Sequence, residues 1–412
     1  MAQPKWRFMR EDGTEFPEWE ELTLGNRFTF KNGINASREA FRTAGIHCIG
    51  VSDVIKCLPI LATNVIGTVS ISDKEVEKNK VNYGDILFQR SSETQQDIGH
   101  ASVYIDNTLS VYNGFVICGK PDKLFYNPIF LHNALQIYKV RKQTISLGAG
   151  AQHYNIGQEA LAQIKVNIPC LEEQKRIADF LSAVDEVIAQ SEVEIQNLEQ
   201  HKKAVMQKIF SQEVRFRRED GGGFPEWEEK AITELCESIL GGGTPTTENK
   251  DYWNGDIAWV SSSDLDNNDI HHLSITRFIT EEAIRCSATK KIPCDSVLIV
   301  SRVGVGKVVV APCELCTSQD FTNIVNPKCN SLFLGYMLSI IMQIKANGVQ
   351  GTSIKGVTAK EIKQYRISIP CLQEQQKIAD FLSACDESIS YAKQELDKWK
   401  DLKKGLLQQM FV

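Results

Sequence analysis

The sequence predicts an α+β protein: two β-rich α+β domains separated by two long helices, the helices pairing as an antiparallel intramolecular coiled coil with pseudo-two-fold symmetry. Three observations predict this. The chain repeats itself at long range, each repeat carries an apolar seam of heptad period, and the intervening stretches hold short β-branched runs between turn residues.

The repeat is explicit. Residues 168–186 read IPCLEEQKRIADFLSAVDE and residues 369–387 read IPCLQEQQKIADFLSACDE, identical at 15 of 19 positions with a shift of 201. A second pair, RFMREDGTEFPEWEE from Arg7 and RFRREDGGGFPEWEE from Arg215, matches at 12 of 15 with a shift of 208. Solenoid repeats run from roughly 20 to 50 residues, so units this long are domain-sized. The reading divides the chain into a first domain with its N-terminal segment at 1–160 and a first helical spacer at 161–212. A second domain follows at 213–361, entered through a linker at 213–229, with a second spacer at 362–412.

Each spacer opens after a proline, Pro169 or Pro370, that suits a strand-to-helix junction because it is poor inside either element. The first seam runs through Ile177, Leu181, Val184, Ile188, Ser191, Ile195, Leu198, Lys202, Val205 and Ile209. The second runs through Ile378, Leu382, Cys385, Ile389, Ala392, Leu396, Trp399, Lys403, Leu406 and Met410. Such periodicity over more than four heptads marks a coiled coil, and two matching helices in one chain can bury their stripes against each other. Parallel pairing would force the intervening domain to span the full helix length, so the antiparallel arrangement is expected. Lys202 and Lys403 occupy the same inner position, where a lysine either fixes register or snorkels its ammonium to water.

The domains themselves show strand-like runs at Gly84–Phe88, Ala101–Ile105, Val297–Val300 and Lys307–Val310, and each closes on an alternating segment, Ile164–Ile168 or Tyr365–Ile369. They align with each other only faintly, Asp85-Ile-Leu-Phe falling on Asp295-Ser-Val-Leu. Junctions and helices have stayed alike while the domains between them diverged, which implies one mounting for two different readers.

Composition is that of a globular protein, with 42% hydrophobic and 24% charged residues. No apolar run reaches 18 residues and the start lacks an apolar signal region, so no membrane span or secretory leader is expected, and the scattered cysteines fit a reducing, cytoplasmic setting. The net charge of −6 is unevenly spread: residues 22–160 hold 14 Lys/Arg against 11 Asp/Glu, and residues 230–361 hold 12 against 14. That balance neither requires nor excludes a nucleic acid, whose phosphates need a local basic face.

The junction phrase, occurring twice and closing a variable domain each time, resembles the specificity subunits of type I restriction–modification enzymes. The matching elements are Pro169, Glu173, Gln174, Ile177, Ala178 and Leu181, and Pro370, Glu374, Gln375, Ile378, Ala379 and Leu382, with Cys170 and Cys371 where the family often has a second proline. In the second domain Gly242-Gly243-Thr244-Pro245, then Tyr252-Trp253-Asn254-Gly255-Asp256-Ile257 and Trp259, also resemble a family pattern; the first domain has Gly33-Ile-Asn-Ala in place of the glycine run. The resemblance implies two target-recognition domains, each reading one half of a split, asymmetric site in double-stranded DNA. It implies helices that set the unread gap and dock two modification (methyltransferase) subunits, joined by restriction (motor-nuclease) subunits. The chain itself would be non-catalytic and hold no cofactor, with S-adenosylmethionine, ATP and Mg on the partner subunits.

Candidate DNA contacts are polar and basic residues of Gly-rich loops, since Arg pairs naturally with guanine, Gln with adenine and Lys with phosphate. In the first domain they are Lys31, Arg38, Arg42, Gln89, Arg90, Gln95, Gln96, His100, Arg141, Lys142, Gln152 and Tyr154. In the second they are Thr244, Thr246, Lys250, Tyr252, Ser263, Arg302, Lys307, Gln350, Thr352 and Lys355. Arg90 and Arg302 stand out because each follows a strand at the start of a Gly-containing loop. Trp253 and Trp259 read as core aromatics.

Catalytic and metal signatures are weak. Asn127-Pro-Ile-Phe lacks the second proline of an adenine-methyltransferase motif and reads as a turn into a helix. Gly304-Val-Gly-Lys307 is no phosphate-binding loop, having Ser301 where the first Gly belongs and Val308 in place of Ser/Thr. Cys313-Glu-Leu-Cys316 is a lone pair to which Cys294 and Cys329 could contribute, but structural zinc usually takes a second pair at set spacing. Two other classes stay open at this level: a protein scaffold, separable by salt-dependent duplex binding, and a self-sufficient methyltransferase, separable by methyl transfer from purified chain.

Overall fold

The computed structural model describes every residue except 1–2, 36, 38, 43, 151–152, 268, 348–355 and 412. The chain forms two compact units, Met1–Glu192 with Gln394–Val412, and Val193–Lys393. Each unit thus takes in part of both long helices.

In the first unit an antiparallel sheet runs in the order Phe28–Asn32, Val116–Pro121, Ile86–Gln89, Ala101–Val103. A second sheet centres on Ile46–Ile49, which pairs antiparallel with Thr68–Val69 and parallel with Ser110–Tyr112. The second unit repeats this plan. Its first sheet orders Cys236–Gly241, Phe321–Pro327, Val297–Val300, Val308–Val310, and its second centres on Ile257–Val260 between Arg277–Ile279 and the parallel strand Leu315–Thr317. The strand runs read from sequence fall within one or two residues of these elements. The common topology also corrects the alignment by one residue: Ile86 is equivalent to Val297, so Arg90 lies opposite Ser301 rather than Val300.

Asn127 caps the helix Pro128–Gln136, its Oδ1 accepting from the amides of Ile129 (2.9 Å) and Phe130 (3.1 Å). The motif singled out there is a helix start. Trp259 is buried, donates its Nε1–H to Gly243 O at 2.9 Å and stacks edge-on with Trp253, centroids 4.9 Å apart. All twelve cysteines are free, and among the described residues no cluster of three or more His, Cys, Asp or Glu is placed to hold a metal. Among those residues no helix is long and apolar enough to cross a membrane.

The long helices span Leu171–Phe210 and Leu372–Met410, 40 and 39 residues. At about 1.5 Å per residue each is roughly 60 Å long. Both start two residues after the predicted proline, and Gly405 does not interrupt the second. They pack antiparallel in each unit. In the first, Lys403 Nζ meets Asp185 Oδ1 at 2.6 Å and Lys400 meets Glu192 at 2.8 Å, so one helix advances as the other recedes. In the second, Lys202 pairs with Asp386, and Lys393 meets Glu199 at 2.7 Å. The same two position pairs recur displaced by 201 residues, the second with its charges exchanged. Ile177, Leu181, Val184, Ile195, Ile209, Ile378, Leu382, Ile389, Leu396 and Met410 are buried; Ile188, Leu198, Val205, Trp399 and Leu406 are half-buried. Each fully buried leucine contributes about 1.5–3 kcal/mol.

The repeated peptide segments turn out to be two halves of one structural lock. Glu173, fully buried at the helix start, accepts from Arg7 Nε (3.0 Å), Arg7 Nη2 (2.7 Å) and Trp19 Nε1 (3.2 Å). Glu374 accepts from Arg215 Nε (3.3 Å), Arg215 Nη2 (2.9 Å) and Trp227 Nε1 (3.2 Å) in the same way. The bond to the carboxylate pushes both guanidinium pKa values up. The next residue, Gln174 or Gln375, donates to the proline carbonyl (2.8 and 2.7 Å) and accepts from Asn127 N or Asn330 N, each at 2.9 Å. In each repeat the Arg and Trp converge on one buried carboxylate, and the adjacent Gln ties the helix start to the proline carbonyl and to a neighbouring helix cap.

Candidate nucleic-acid interface

In both domains a glycine-containing loop after the first sheet strand lies on the turn that leads into the neighbouring strand. In the first domain Ile34 N donates to Tyr112 O (2.9 Å), Val116 N to Asn113 O (3.0 Å) and Arg90 N to Phe115 O (2.9 Å). In the second Gly243 N donates to Thr317 O (2.8 Å), Phe321 N to Ser318 O (3.2 Å) and Ser301 N to Asp320 O (2.8 Å). The approach is close enough to require glycine: a Cβ on Gly33 would stand 2.2 Å from Asn113 O, and one on Gly242 would stand 2.1 Å from Ser318 O. Gly33-Ile-Asn is therefore the structural counterpart of Gly242-Gly243-Thr244, although the sequences share little. The side chains at this place differ. Asn35 meets Gly114 beside the exposed Phe115 in one domain, and Thr244 hydrogen-bonds Gln319 in the other.

The sequence-derived candidates fall into three groups. Arg38, Gln152, Gln350, Thr352 and Lys355, with the side chain of Arg42, lie outside the described residues. A second group has its polar atoms on nearby backbone. Lys31 donates to Lys78 O, buried Gln89 to Ser91 O (2.9 Å), Arg141 to Ile98 O and Gln96 O (both 2.9 Å), and Lys307 to Leu265 O (2.6 Å) and Ser262 O (3.1 Å). These side chains shape the loops. His100 is similarly engaged, its Nδ1 lying 3.3 Å from Cys57 Sγ, and burial pulls its pKa down.

The third group faces water: Gln95, Gln96, Lys142, Thr244, Thr246, Lys250, Ser263 and Arg302 are exposed, with Tyr154 and Tyr252 half-buried. Arg90 is half-buried and its Nη1 donates to Gly114 O at 3.2 Å, which tethers the guanidinium to the turn described above. Asn35, Phe115 and Gln319, at the same place, escaped sequence reasoning. Thr244 and Gln319 are 75 residues apart, Asn35 and Gly114 lie still further apart in the chain, and only the strand pairing brings them together.

Lys202 is buried and engages Asp386, which also accepts from Tyr336 OH at 2.6 Å, while His271 Nε2 lies 2.9 Å from that hydroxyl. The equivalent pair Lys403–Asp185 is more open, Asp185 having 40% of its side chain exposed against 13% for Asp386. One seam lysine is thus roofed and the other wet.

A family model described as the type I restriction modification DNA specificity domain matches residues 17–200 and again 225–399. The chain is 26% identical over 414 residues to a protein of Methanocaldococcus jannaschii described, provisionally, as the specificity subunit of type I restriction enzyme MjaX. That match covers 97% of this chain and 94% of the other. It is 34% identical over 212 residues to the MjaIX specificity subunit of the same organism, covering 49% and 48%. Among solved structures, the S subunit of a type I restriction–modification system from M. genitalium shares the fold with a TM-score of 0.56 at 14% identity, covering 100% of this chain and 99% of that one. A chain from a type I system solved for its complex assembly and conformational transition gives 0.57 at 17%, covering 96% and 98%.

Proposed function

The chain belongs to the type I restriction–modification DNA specificity family, and from that premise we propose that each of its two domains reads one half of a bipartite, asymmetric site in double-stranded DNA. The observation that carries this reading is the double match of the family model, once per unit, over two domains of common topology and divergent loop chemistry. The chain contributes recognition and assembly and no catalysis. Two modification subunits dock on it and bring S-adenosylmethionine; motor-nuclease subunits bring ATP and Mg. It works where the DNA is, in the cytoplasm.

In this reading the helical pair sets the number of unread base pairs. A matched insertion of seven residues near Val193 and near Gln394 adds one heptad to both helices, about 10.5 Å of rise. At about 3.4 Å per base pair the gap should grow by roughly three base pairs with both half-sites unchanged. Adenine-methylation mapping in cells carrying the lengthened chain and its modification partner tests this, and an unchanged gap or altered half-sites would refute it.

A further inference from the structure

We propose that the turn Asn113–Phe115 and its counterpart Ser318–Asp320 are the half-site-determining elements of the two domains, with Phe115 and Gln319 meeting the bases. This rests on the reading that each domain binds half of a DNA site.

Both turns are built by the same three backbone hydrogen bonds at equivalent positions, so the scaffold has been kept. Their side chains have not been kept, unlike the Arg–Trp–Glu–Gln lock. A position constant in geometry and free in chemistry is where two readers of unlike sequences must differ.

Phe115 is 64% exposed, a large apolar ring facing water. It is nonetheless held firmly. Its amide donates to Asn113 Oδ1 (3.0 Å), its carbonyl accepts from Arg90 N (2.9 Å), and the Arg90 guanidinium is fixed to the adjacent Gly114 O. An apolar ring carried on a hydrogen-bonded turn that also binds an arginine is suited to a thymine methyl or an opened base step. Gln319 is also exposed, and Thr244 donates to its carbonyl oxygen, which orients the amide and leaves its NH₂ group to donate. A glutamine amide presents the donor and acceptor that adenine requires in the major groove.

The test uses the full chain with its modification partner, mapping adenine methylation for the wild type, Phe115→Ala and Gln319→Ala. Each variant should lose about tenfold in discrimination at one or two positions of one half-site, a different half for each, with the gap fixed. Gln319→Glu should shift its position toward cytosine, whose amino group a carboxylate accepts. Melting temperatures should stay at the wild-type value, because both side chains are exposed. The proposal is overturned if the variants leave both half-sites sharp or if one variant blurs both halves. A wild type that methylates no bipartite site would instead remove the underlying reading, and the inference with it.

Discussion

Replacing Glu173 with alanine should destabilise the first unit by about 3 kcal/mol, the low end of the range for removing one partner of a buried ion pair. The magnitude follows from what is left behind. The carboxylate is fully buried and accepts three hydrogen bonds, and Trp19, which supplies one, is 1% exposed. Truncation strands the indole N–H and removes two charge-assisted bonds from Arg7. The guanidinium keeps Pro17 O at 2.7 Å and has an 18% exposed side chain, so water relieves part of the loss. For a unit of this size about 1 kcal/mol moves the melting temperature by roughly 2–4 °C, so the expected fall is about 6–12 °C. Differential scanning calorimetry of the full chain reads it directly. Glu172→Ala, one residue away on an exposed side chain, is the control and should move the transition by less than about 2 °C. If Glu173→Ala and Glu172→Ala gave the same small shift, the polar lock would not hold the helix start.

Asp386→Ala should cost more than Asp185→Ala, about 3 against 1 kcal/mol, because the former removes the carboxylate beside buried Lys202 while the latter leaves Lys403 near water; urea unfolding of both variants compares them. Lys393→Glu with Lys400→Glu places like charges opposite Glu199 and Glu192, both about half exposed, and should destabilise by about 1 kcal/mol in low salt. Adding Glu192→Lys and Glu199→Lys should restore stability, and failure of that rescue would mean the pairs do not interact. His132 is 4% exposed, its Nδ1 lacks a partner among the described residues, and burial pulls its pKa down from 6.5 to about 4. The folded state disfavours the charged imidazole, so the unfolded chain binds the extra proton as pH falls. Stability present above pH 6.5 is then lost between about 6.5 and 4, by up to roughly 3 kcal/mol. His132→Gln should flatten that part of the pH–stability curve, and an unchanged acid limb would refute the assignment.

Much of the architecture was legible because it is written locally. Heptad spacing located both helices, the proline located their starts, and the duplication predicted that they pair. The β-branched runs marked the strands to within one or two residues. The polar lock was visible as repetition but not as chemistry, since Arg7 and Glu173 are separated by 166 residues and nothing local links them. The reading loops were less legible still. Gly33-Ile-Asn and Gly242-Gly243-Thr244 are equivalent through backbone hydrogen bonds, which any sequence can make once the glycine permits the approach. Lys307 and Arg141 looked like DNA contacts by type, yet their charged groups cap loop carbonyls. A basic side chain beside unsatisfied backbone oxygens meets that need before any external one.

The central claim, that one chain carries two unlike readers at a fixed separation, is tested most directly by adenine-methylation mapping in cells that express the wild-type chain with its modification partner. The account predicts one motif of two different half-sites around a gap of constant length. Methylation at a continuous site, at a symmetric repeat of one half, or across gaps of varying length would contradict it.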